Sequence, residues 1–170
     1  MSNAVRTKLK VWVLGGGLML AAIGQAWAHG DGHGHPRKAF DPAAVEDTPF
    51  GKAADPAKAS RVIRMTMDDR MRFTPSVVEV RLGESVRFEL ANRGKVLHEM
   101  VLGTAADLAR HAELMKKFPD MEHDEPNMLH VKPGQSGEFA WTFDKPGTFA
   151  FACLIPGHFE AGMSGRVVVR

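Results

Sequence analysis

The chain has 170 residues, of which 22 are basic and 20 acidic, giving a formal net charge of +2. That balance argues against nucleic-acid binding, and a single cysteine excludes an internal disulfide. The length allows one domain with its own core once the terminal segments are set aside.

Residues 1–10 carry Arg6, Lys8 and Lys10 without an acid, and the apolar run Val11–Ile23 and the small-residue signal Ala26-Trp27-Ala28 follow. This order reads as a secretory signal peptide over residues 1–28. The run is short for a spanning helix and contains three consecutive glycines, so cleavage is expected rather than stable membrane insertion. Cleavage after Ala28 predicts a periplasmic protein. It removes three of the 22 basic residues and none of the 20 acidic ones, which leaves the mature chain near neutral.

The mature protein would open on His29-Gly30-Asp31-Gly32-His33-Gly34-His35. A segment of this composition buries no core, and its imidazoles, with the free α-amine of His29, are expected to capture metal weakly. Residues 36–59 are rich in Pro, Ala, Asp and Lys without a sustained period, so 29–59 reads as a flexible tail and linker.

The folded domain is expected over residues 60–170. Strands are predicted at Arg61–Met67, Met71–Phe73, Val77–Arg81 and Ser85–Leu90, punctuated by Asp68-Asp69, Thr74-Pro75 and Leu82-Gly83-Glu84. The apolar stretch Lys95–Leu102 carries His98 on the next strand. With Thr104 as N-cap, one helix is predicted over Ala105–Phe118. Leu108, His111, Ala112 and Met115 fall at helical spacing, and Pro119 ends it. After a polar loop, further strands are predicted at Met128–Val131, Gly137–Phe143, Gly147–Cys153 and Gly165–Arg170. About eight strands with one inserted helix point to an all-β sandwich or barrel.

Cys153, His158 and Met163 share one Gly- and Pro-bearing loop between the last two strands. Singly, each reads as core or surface; a lone cysteine is more often a small buried hydrophobe. Together, thiolate, imidazole and thioether form a soft donor set that selects copper. A second imidazole from His98 would complete a plane of two His and one Cys with a long axial Met, the type 1 copper arrangement.

The C-x4-H-x4-M spacing, with His98 on an earlier strand, resembles the cupredoxins over approximately Ser60–Arg170. The loop is similar to the longer ligand loop of rusticyanin and auracyanin. The resemblance implies a Greek-key β-sandwich in which His98, Cys153 and His158 form the copper plane and Met163 is axial. It also implies electron exit at the His158 edge, and a rim of Leu154, Ile155, Pro156 and Phe159 for a redox protein partner. Two positions depart from the family pattern. Glu99 stands where Asn commonly ties the ligand loops together, and Leu97 replaces an azurin-like Gly, changes that point toward a greener, more tetragonal copper.

More narrowly, the His-rich tail and the scattered Met65, Met67, Met71, Met100, Met115, Met121 and Met128 look like the periplasmic copper-resistance cupredoxins of the CopI type. Auxiliary copper is expected at His29, His33 and His35. A second candidate group is Met121, His123, Met128 and His130, with His111 approaching; Met128 and His130 fall on one face of a strand. Met65, Met100 and Met115 individually read as core. The implied function is a monomeric periplasmic protein that binds copper and exchanges one electron in copper tolerance, Cu(I) oxidation included. The alternative is a soluble electron carrier between respiratory or photosynthetic partners. A multicopper oxidase or nitrite reductase is disfavoured, because those enzymes build further copper centres across several domains.

Overall fold

Period-two burial generates the sandwich. In β6 (Glu84–Asn92) Val86, Phe88, Leu90 and Asn92 are buried, while the residues between them are half-buried. A computed structural model describes residues 40–118 and 124–170. The expected leader over 1–28, His29, His33 and His35 lie outside the described residues, as do Met121 and His123.

The remaining strands are β1 (Asp47–Thr48), β2 (Gly51–Ala54), β3 (Arg61–Asp68), β4 (Arg72–Thr74), β5 (Val77–Val80) and β7 (His98–Gly103), followed by β8 (Met128–Val131), β9 (Ser136–Phe143), β10 (Gly147–Ala152) and β11 (Ser164–Val169). They form a six-stranded sheet in the order β1-β2-β9-β6-β3-β4 and a five-stranded sheet in the order β5-β11-β10-β7-β8. The β3–β6 and β5–β11 pairs are parallel; the others are antiparallel. The result is the two-sheet cupredoxin-like sandwich with one inserted helix that the sequence predicts.

Aromatic rings fill the space between the sheets. Phe88 stacks on Phe139 at 5.2 Å, and Phe73 meets Phe151 edge-on at 5.1 Å. Each such fully buried side chain contributes about 1.5–3 kcal/mol relative to exposure. Met65, Met67 and Met100 belong to this core, so they are packing residues.

The helix α1 (Ala105–Lys117) starts where Thr104 Oγ1 accepts the Asp107 N–H at 3.1 Å. It stops one residue before the predicted end, with Phe118 as its C-cap. Leu108, Ala112 and Met115 form a second cluster with Val101, Met128, Ala152 and Leu154. Because α1 covers the outer face of the five-stranded sheet, every residue of β7 is buried. That is why this strand reads as a continuous apolar run rather than an alternation.

The linker expected over 36–59 differs from that expectation. From Asp47 onward it contributes β1 and β2, and β2 pairs with β9. Phe50 stacks on Trp141 at 5.1 Å, and the Trp141 indole Nε1 donates to the Phe50 carbonyl at 2.9 Å. Strands of two and four residues are too short to display a period, so composition alone resembles a linker.

Candidate metal centre

The β7–β10 pairing sets Val101 opposite Ala152, which brings the start of β7 and the end of β10 to one end of the sandwich. His98 opens β7 and Cys153 follows β10 directly. The loop after Cys153 then folds back on itself. The Cys153 N–H donates to the Met163 carbonyl at 3.0 Å, and the Met163 N–H donates to the His158 carbonyl at 3.0 Å. Gly157 and Gly162, with φ of +90° and +87°, supply the left-handed turns this tight loop needs.

Donor atoms of His98, Cys153 and His158 all lie within 4.8 Å of one another. Cys153 Sγ is 3.2 Å from His158 Nδ1, and the two imidazole centroids are 5.0 Å apart. His98, Cys153 and Met163 are fully buried, whereas His158 is only half-buried. The His158 edge is therefore where the site meets solvent.

Burial pushes the Cys153 thiol up to about 12, and the nearby Glu99 charge adds to that rise. His158 is shifted below its ordinary value, first by burial and then by His98, which favours the neutral imidazole that can ligate. His98 Nε2 lies 3.3 Å from Asp69 Oδ1, while His98 Nδ1 is buried without a hydrogen-bond partner. An orphaned buried nitrogen costs about 1–3 kcal/mol unless something ligates it. A cation held here would satisfy that nitrogen and reverse the thiol's resistance to ionisation. These donors fit copper.

Residues 60–170 match the family model of copper binding proteins of the plastocyanin/azurin family. The chain belongs to that family. Its type 1 copper site consists of His98, Cys153, His158 and Met163. This cupredoxin is 52% identical over 155 residues to the copper-resistant cuproprotein CopI of Rubrivivax gelatinosus, covering 90% of this chain and 94% of that protein. It is 40% identical over 150 residues to the copper-resistant cuproprotein CopI of Pseudomonas aeruginosa, covering 71% and 82%. Auracyanin A of Chloroflexus aurantiacus superposes with a TM-score of 0.56 at 21% identity, covering 64% of this chain and 98% of that one. That likeness shows the fold.

The ligand loop of this cupredoxin is anchored on three sides. The Leu154 N–H donates to Glu99 Oε1 at 2.7 Å, so Glu99 makes the loop tie that the family's Asn was expected to make. Glu99 is buried, and its Oε2 lies 2.7 Å from His130 Nε2, outside hydrogen-bond alignment. On the helix side, Lys116 pairs with Glu160 at 2.9 Å, and the Glu160 Oε2 accepts the Gly157 N–H at 3.0 Å. From β4, an Arg72 guanidinium nitrogen donates to the Ala161 carbonyl at 2.9 Å.

One expected rim residue is corrected. Leu154 is buried in the cluster under α1, because its N–H and side chain both turn toward the helix side of the sheet. Exposed Val96 and Leu97, on the loop that enters β7, add apolar surface that the motif alone did not point to.

The described members of the expected auxiliary set go to different places. Met128 is fully buried with Leu108 and Met115, His130 approaches Glu99, and His111 lines a groove of about 470 Å³ with Asp107, Glu125 and Asn127. Among the described residues, no second group of three His, Cys or acidic donors converges. Sequence reasoning missed Asp69, whose only signal was membership of a two-aspartate turn 29 residues before His98.

Proposed function

We propose that this cupredoxin works in the periplasm as a copper-tolerance protein that holds copper, passes one electron at a time and oxidises Cu(I). The observation that carries the proposal is the four-residue type 1 site in a chain that aligns over most of its length with proteins named for copper resistance. The basic–apolar–small order of residues 1–28 supports export. Among the described residues, no helix is long and apolar enough to cross a membrane.

Copper bound at the site supplies one-electron exchange between Cu(I) and Cu(II). The chain's own contribution is to hold its donors still. The anchored loop keeps Cys153, His158 and Met163 in one arrangement, and the buried side keeps water from Cys153 and His98. The half-exposed His158 gives a redox protein partner the shortest route to the site. A redox protein partner at that edge would accept the one electron that oxidation of each Cu(I) would release. The tail histidines His29, His33 and His35, with Met121 and His123, would collect copper ahead of this site.

The test is growth on graded copper after deletion of the gene, with complementation by the wild-type chain or by Cys153→Ala. Tolerance restored only by the wild type supports the reading. Unchanged tolerance in the deletion strain would instead favour an electron carrier without a protective role.

A further inference from the structure

The β3–β6 pair places Met67 beside Asn92 in parallel register, so the turn after β3 and the loop before β7 emerge side by side. Asp69 lies in that turn. Its carboxylate accepts the Lys95 N–H at 2.8 Å, receives the Val96 N–H at 3.4 Å, and lies 3.3 Å from His98 Nε2. The approach is close enough that a Cβ at Gly94 would collide with this carboxylate. Two amide donors thus aim Asp69 at one nitrogen of His98, while the other nitrogen is buried and unpaired.

We propose that Asp69 is a positioning residue of the copper site. It accepts the Nε2 hydrogen of His98, fixes the tautomer that leaves the Nδ1 lone pair for copper, and sets a negative charge behind that ligand. A carboxylate held on the far side of a metal-binding imidazole orients the ring and raises its basicity. The charge favours Cu(II) over Cu(I), so it lowers the reduction potential. The inference rests on the copper site itself and not on the copper-tolerance role.

Asp69→Asn and Asp69→Ala separate these effects. Asn keeps an acceptor oxygen and removes the charge; Ala removes both. The loop has a second anchor in either variant, since Asn92 Nδ2 donates to the Val96 carbonyl at 2.8 Å and Asn92 Oδ1 accepts the Gly94 N–H at 2.8 Å. In 15N-labelled metal-free protein with His98 neutral, NMR should show the Nε2–H tautomer in the wild type and in Asp69→Asn, and a tautomer mixture in Asp69→Ala. With copper loaded, both variants should have a more positive midpoint potential. Copper affinity of Asp69→Ala should fall about 10–100-fold, the usual effect of losing such a partner. The same tautomer population in all three proteins, or an unchanged potential in Asp69→Asn, would overturn the proposal. Wild-type protein without a thiolate–copper band would sink the site assignment, and the proposal with it.

Discussion

Glu99 Oε1 accepts the Leu154 N–H at 2.7 Å, which joins the residue after the first copper-site histidine to the residue after the cysteine. The same buried carboxylate meets His130 through its other oxygen at 2.7 Å. One side chain therefore ties β7, β8 and the ligand loop together.

Loss of His130 should cost more than its partial exposure suggests. His130→Ala removes the imidazole that lies against the buried Glu99 Oε2, and taking the neighbour from a buried acceptor costs about 1–3 kcal/mol. Chemical denaturation of His130→Ala should show a loss of this order, and a Glu99→Gln background should remove most of it. Equal losses in both backgrounds would mean that the pair contributes no coupling.

Metal-free protein should lose stability as the pH rises. The Cys153 thiol moves from an ordinary 9.0 to about 12 in the fold. Between those values the unfolded chain has released a proton that the folded chain retains. Stability is therefore full below about pH 9 and falls above it, by up to about 1.4 kcal/mol per pH unit. Denaturation midpoints from pH 8 to 10 would test this, with Cys153→Ala as the control that lacks the thiol and should fall less steeply.

Copper loading has the opposite sign. Ligation expels the Cys153 proton, so apparent copper affinity should rise about tenfold per pH unit between pH 7 and 9. Competition titrations at fixed ionic strength would measure the slope, and a slope near zero would mean that copper binds without the thiolate.

Cys153→Ala should abolish the intense visible absorption of the copper-loaded protein. Met163→Leu should keep the band but change its position and the potential, because it would remove a weak thioether donor and leave the Cys153 thiolate in place. A copper spectrum unaffected by Cys153→Ala would refute the assignment.

Removal of residues up to Ser60 should destabilise the domain. It strips β2 from β9, uncovers Trp141 and breaks the Trp141–Phe50 hydrogen bond. A lower denaturation midpoint and a red-shifted tryptophan emission are expected. An unchanged midpoint would restore the view of this stretch as a linker.

The sequence by itself determined the parts governed by local spacing. Cys153, His158 and Met163 lie on one loop whose soft donors name the metal, and their order needs no tertiary knowledge. Alternation in β6 and helical spacing in α1 are likewise local, since one buried face imposes a period of two or 3.6 residues. Only the tertiary structure decided what lies behind those ligands. Asp69 reaches His98 through parallel pairing of β3 with β6, and His130 reaches Glu99 through antiparallel pairing of β7 with β8. Met128 read as a copper donor from its place in the Met- and His-bearing loop until burial assigned it to packing, where it joins Met65, Met100 and Met115, which individually read as core. Strand register joins residues far apart in sequence, and a linear pattern carries no record of which strands become neighbours.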